Sequence, residues 1–147
     1  MDLTSYTLRA SANFVSFQFV SEGPKGSIQK EIAFTCIDSP LVWNLGFGDI
    51  NPVTELIDDL TISDNDDRDM VLATVAQAVV VFTAQYPKRI VFATGSTPAR
   101  TRLCRIGISR HFADINAIFS VWGLLNGEWC LFEKNVNYQA FAIRRNQ

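Results

Sequence analysis

Two blocks of period-two alternation enclose two helical stretches, and that arrangement limits the folds open to this chain. In the first block Val15, Phe17 and Phe19 share one face of a run. Ile28, Ile32, Phe34 and Cys36 share one face of the next. Alternation built from β-branched and aromatic residues marks half-buried strands. Gly23-Pro24-Lys25-Gly26 between the two runs reads as a hairpin turn. A further strand is expected near Tyr6–Arg9, and Trp43, Leu45 and Phe47 alternate up to Gly48. The second block predicts strands over 119–124, 129–132 and 138–143, with Asn126-Gly127 as a tight turn that needs positive φ.

Between the blocks the periodicity changes. A helix is expected from Asp67 to Tyr86, capped by Asp66 or Asp67. Val71, Leu72, Val75, Ala76, Val79 and Phe82 would face inward, with Thr74, Gln77, Val81 and Gln85 opposite. Arg89–Thr94 reads as a central strand buried on both faces. Gly95-Ser96-Thr97-Pro98 then opens a second helix, with Thr97 as N-cap and Pro98 at the first helical position. That helix should run to about Phe112, with Arg102, Arg105 and Ser109 on its outer face. The acidic connection before the first helix has room for a short strand at Leu60–Ile62. Strands, helix, strand, helix, strands is an α+β order. The expectation is a largely antiparallel sheet of about six to eight strands with two main helices packed on it.

Composition supports one domain over residues 1–147. Hydrophobic residues make up 48% and charged residues 19%, which excludes disorder and a coiled coil. No apolar run approaches the roughly 18 residues that cross a bilayer. The first residues lack a basic and apolar leader, so a cytoplasmic protein without membrane contact is expected. Cys36, Cys104 and Cys130 have no C-x-x-C spacing and lie in apolar runs, so three buried thiols are expected. His111 is the single histidine, and the aspartate-rich run from Asp58 to Asp69 misses the glycine and glutamate of a calcium loop. Neither a metal nor another cofactor is expected. Trp43, Trp122 and Trp129 are read as core residues of the strands.

The distribution of charge says more than its sum. Between Asp38 and Asp69 nine acids stand against one base, Arg68. Between Lys88 and Arg110 there are six bases and no acid. With a net charge of −2, no basic field covers the whole molecule, so a nucleic-acid role would have to be local.

Five motifs occur in a fixed order: Gly23-Pro24-Lys25-Gly26, Phe47-Gly48-Asp49, Asp67-Arg68-x-x-Val71-Leu72-Ala73-Thr74-Val75, Gly95-Ser96-Thr97-x-Ala99-Arg100-x-Arg102-Leu103, and Asn137-Tyr138-x-x-Phe141. Together they resemble an uncharacterised bacterial family of proteins of this size, seen mostly in Bacteroidota. The resemblance spans nearly the whole chain. It implies a stand-alone intracellular domain and transfers no catalytic residue. Cys104 stands where that family often carries an aromatic residue.

One local pattern carries chemistry. Gly95, Ser96 and Thr97 precede a helix start, where free amides attract anions, and Arg100, Arg102 and Arg105 could add charged hydrogen bonds to a phosphate. The spacing is neither a P-loop nor a dinucleotide fingerprint. A capped helix whose arginines pair with Asp64–Asp69 would leave the same pattern. Two functions stay open, and so does the question of turnover. The first is an interaction protein without catalytic machinery, with a protein partner or self-association, for instance half of a toxin–antitoxin-like pair. The second is a binder or enzyme acting on a phosphorylated ligand, a nucleotide or RNA, at Gly95–Arg105.

Overall fold

The computed structural model describes residues 5–50, 57–58, 65–94 and 98–147. The elements are β1 (Arg9–Ala10), β2 (Ser16–Gly23), β3 (Gly26–Ile37), β4 (Ser39–Ile50), β5 (Ile57–Asp58), α1 (Arg68–Gln85), β6 (Ile90–Ala93), α2 (Pro98–Arg110), α3 (Phe112–Ile118), β7 (Phe119–Leu125), β8 (Glu128–Leu131) and β9 (Ala140–Arg145). Hydrogen-bonded neighbours run β1-β2-β3-β4-β6-β9-β7-β8, and β5 pairs with β4 off that path. The pairing of β4 with β6 is parallel, while β1–β2, β2–β3, β4–β5, β6–β9, β7–β8 and β7–β9 are antiparallel. The class is α+β, with helices packed on a mostly antiparallel sheet. The chain divides into two compact units, Asp2–Thr35 with Gly46–Gln85, and Cys36–Leu45 with Tyr86–Gln147.

In the first unit the β2–β3 hairpin closes at Gly23↔Gly26, as its turn sequence predicts. Phe17, Phe19, Ile32 and Phe34 are buried. Phe34 stacks on Phe82 of α1 with ring centroids 4.0 Å apart, so the helix lies on this face of the sheet. Lys30 is only 1% exposed and forms an ion pair with Asp49 of β4 at 2.5 Å, while its ammonium lies 5.6 Å from the Phe47 ring. Among the described residues, a counter-charge and a π-face help to replace the water such a deep charge loses.

Helix α1 departs from the expected stripe. Its buried residues are Ala73, Thr74, Ala78, Val79, Phe82 and Thr83, whereas Val71, Leu72, Val75 and Ala76 are half-buried. Two threonines enter the core because their hydroxyls are satisfied, by the preceding turn of the helix and, at Thr74, also by the Tyr6 amide, which donates to Thr74 Oγ1 at 2.9 Å. Thr74 Oγ1 donates to Met70 O at 2.7 Å and Thr83 Oγ1 to Val79 O at 2.7 Å. A hydroxyl bonded to the i−4 carbonyl enters the core with its donor already satisfied.

In the second unit β6 lies between β4 and β9. It is central, but it is not buried on both faces: Val91 and Ala93 are buried, while Ile90 and Phe92 are half-buried. Val91, Ala93, Phe141, Ile143 and Val121 share the buried face by register. The expected second helix ends at Arg110, and a third, α3, follows His111 and packs Phe112 on Phe132 with centroids 5.3 Å apart. Asn126 (φ 52°) and Gly127 (φ 81°) form the β7–β8 turn. Gly123 has no room for a side chain, since a Cβ there would meet the Tyr138 ring at 2.3 Å. The strand expected at Leu60–Ile62 lies outside the described residues.

Asp49→Ala should cost about 3–5 kcal/mol by leaving the Lys30 ammonium buried without its counter-charge. The double variant Lys30→Met with Asp49→Leu should recover most of that loss in denaturant titration. Gly123→Ala should cost about 1–3 kcal/mol by forcing the Tyr138 ring aside.

Candidate functional site

The basic stretch folds as expected into α2, beginning at Pro98. Gly95, Ser96 and Thr97 lie outside the described residues. Arg102 is exposed, and Arg100 and Arg105 are half-buried. Helical spacing puts Arg102 and Arg105 on one stripe and sends Arg100, two residues earlier, to the opposite side. Two of the three candidate arginines therefore share a flank. No carboxylate lies on α2, so along the helix itself their charge is unopposed.

The same helix carries Cys104. Desolvation raises its thiol to about 11, so at neutral pH it is a protonated packing group rather than a nucleophile. Cys36 and Cys130 correct the expectation of three buried thiols: both are exposed, and all three cysteines are free. Cys36 sits near the β3–β4 connection, and Cys130 on β8, whose four residues are all exposed. Alternation alone could not reveal that β8 is a terminal strand.

Trp129 is likewise not a core residue. It is 46% exposed, and Leu131 is 70% exposed. Register explains why they stand together. Val42↔Ile90, Phe92↔Ala142, Ala142↔Trp122, Trp122↔Leu131 and Leu124↔Trp129 place these side chains on the face opposite Val91 and Ile143. The Phe92 and Trp129 rings meet edge to face at 6.0 Å, reaching towards each other across the two strands between them. The result is a half-exposed apolar face ending in a fully exposed strand. Arg144 lies on that face, 5.5 Å from the Trp122 ring.

A cavity of about 360 Å³ lies in the other unit, lined by residues that include Tyr6, Arg9, Gln18, Phe19 and Gln29. Its lining offers one guanidinium, hydrogen-bonded to Gln18 Oε1 at 3.0 Å, together with hydroxyls and amides. Such groups can bind a ligand but hold no general acid or base near pH 7. From this lining Tyr6 Oη donates to Asp67 Oδ2 at 2.6 Å, and the same oxygen accepts from Ser21 Oγ at 2.5 Å. Burial first, and then the bond to Asp67, raises the Tyr6 phenol above its ordinary value. Among the described residues no cluster of three or more His, Cys, Asp or Glu could hold a metal. No described helix is long and apolar enough to cross a membrane.

Fold and surface together define an α+β domain whose distinguishing features are an apolar sheet face and an acid-free basic helix. The chain belongs to the family of unknown function DUF6934, whose model matches residues 2–146. No curated protein and no solved structure matches it.

Thiol chemistry tests this description. With an aromatic disulfide reagent at pH 8, two thiols, Cys36 and Cys130, should react fast and Cys104 slowly. The Cys104 rate should climb as pH rises towards about 11, because the reactive thiolate forms only there. Three equally fast thiols would contradict the burial of Cys104.

Proposed function

We propose that this protein is an interaction module without catalytic machinery, docking through the apolar face of β6, β9, β7 and β8. The observation that carries this reading is the exposure of Trp129 and Leu131 beside the half-buried Phe92 and Trp122. Contiguous exposed apolar surface rimmed by charge marks interaction sites in water-exposed proteins. One half of a toxin–antitoxin-like pair is one form this function takes.

The second reading is anion binding by α2. It is favoured by Arg102 and Arg105 on one acid-free stripe. A phosphorylated ligand bound there would show a strong salt dependence.

Co-expression with the product of the adjacent gene separates the two. Stable co-elution that survives Arg102→Ala with Arg105→Ala supports the interaction module. Salt-sensitive binding of a nucleotide or RNA that the same double variant abolishes, with no protein bound, overturns it in favour of the second reading.

A further inference from the structure

Among the described residues, pairing along the outer edge of β2 is interrupted at Val20. Ser11 N donates to Ser16 O at 2.8 Å on that edge, whereas Phe34 N donates to Val15 O on the β3 side. The register with β3 is unbroken from Ser16 to Gly23, so the even-numbered residues of β2 turn their backbone groups to the outer edge. Ser16 is met there by Ser11 and Gln18 by Arg9. Further along, Glu22 N donates to Tyr6 Oη at 3.1 Å, and Glu22 O lies 3.2 Å from the same hydroxyl. Val20 stands between them, and no described residue bonds its outward N–H or C=O.

The gap is held open by the segment that would otherwise close it. The Tyr6 amide donates to Thr74 Oγ1 of α1 at 2.9 Å, and the Tyr6 ring stacks on Phe19 with centroids 5.6 Å apart. Bonded to the helix at this point, the chain pairs with β2 only from Arg9 onward. The cavity of about 360 Å³ lies here, and Thr7, Val20 and Ile50 also line it. Its volume falls in the range of small-molecule sites. Gln18 and Val20, with Gln29 opposite Val20, share the face of the hairpin turned away from Phe17 and Phe19. The side chains of Thr7 and Gln29 hydrogen-bond nothing among the described residues. Arg9 bonds Gln18 Oε1 at 3.0 Å, which leaves most of its guanidinium fork for another acceptor.

We propose that this cavity binds a nucleotide-sized ligand: a nitrogen heterocycle whose edge sets a donor beside an acceptor against Val20, with an anionic group on Arg9. A strand partner would meet Val20 by exchanging both N–H···O bonds from a single residue. An extended peptide has no access to that exchange, because Arg9 and Tyr6 Oη occupy the edge on either side. A flat group that carries donor and acceptor on one edge fits the gap, and the Watson–Crick edge of a nucleobase is such an edge. Val20 and Ile50 offer apolar surface to the ring, and Gln29 a further amide. The guanidinium supplies a charged bond to a phosphate. The site goes beyond the interaction module, and it shares no residue with the arginine stripe of α2.

Amide NMR of the uniformly labelled whole chain, titrated with AMP, CMP, GMP and UMP to about 10 mM each, reads the atom concerned. At least one nucleotide should move the Val20 amide saturably, and its nucleoside should do the same, while inorganic phosphate leaves that amide unmoved. Arg9→Gln should weaken the nucleotide by about tenfold and leave the nucleoside unchanged. Val20→Pro removes the N–H at an edge position that accepts proline, and should abolish binding of both with an unchanged melting temperature. No nucleotide that moves Val20 overturns the proposal, as does movement that phosphate alone reproduces, or binding indifferent to Arg9→Gln. Shifts confined to Arg102 and Arg105 overturn it in favour of α2, and leave the apolar-face reading standing.

Discussion

The Asp67 carboxylate ties together the start of α1, the N-terminal segment and the β2–β3 hairpin. Asp67 immediately precedes the helix, and its carbonyl accepts the Val71 amide at 3.0 Å, which begins the helical ladder. The side chain does not simply cap. It accepts from Tyr6 and Ser21, while Ser21 accepts from the fully buried Asn65. Asn65 in turn accepts from Lys25 N at 2.7 Å and donates to Gly26 O at 2.8 Å, so it clamps the hairpin turn. An acid at a helix start is also favoured by the macrodipole. Local electrostatics and tertiary hydrogen bonds thus act on the same oxygen atoms.

This accounts for most of the motifs that made the chain recognisable. Gly23–Gly26 is the turn that Asn65 holds. Phe47-Gly48-Asp49 supplies the ring and the carboxylate around the Lys30 ammonium. Tyr138 packs between Phe132 and Phe141, and its hydroxyl accepts from Glu133 N while donating to Leu131 O. Each of these is a packing or satisfaction requirement. The arginine motif of α2 differs, because Arg102 faces solvent and fills no void.

The strands were legible because half-buried strands leave a period of two, and the turns because Asn126-Gly127 and Gly23–Gly26 have distinctive backbone needs. The α+β order followed. What the periodicity could not reveal was which face of an alternating strand stays open. Trp129 and Leu131 alternate just as Val121 and Gly123 do. They differ only in lying on a terminal strand and on the less covered face, which depends on long-range pairing. The face of α1 was misjudged for a related reason. Thr74 and Thr83 look polar in sequence, but their hydroxyls bond the preceding turn, and Thr74 Oγ1 also accepts from the Tyr6 amide, so neither is left unsatisfied in the core. The candidate anion site was legible only as a string of residue types. Helical geometry keeps Arg102 and Arg105 on one stripe and turns Arg100 to the other side.

These facts bear on what the protein can do. Among the described residues, ionisable groups taken out of water have structural partners or stay neutral: the buried Lys30 pairs with Asp49, the half-buried Tyr6 bonds Asp67, and Cys104 is held as a thiol by desolvation. A catalytic acid or base needs a shifted affinity for protons and also a reacting atom within reach. Of the two groups with shifted proton affinity, Cys104 is desolvated within the packing, and Tyr6, which lines the 360 Å³ cavity, is raised further from neutrality by burial and by its bond to Asp67. Exposed apolar surface costs free energy in the isolated chain at roughly 25 cal/mol per Å². Trp129 and Leu131 carry that cost on the exposed face of β8.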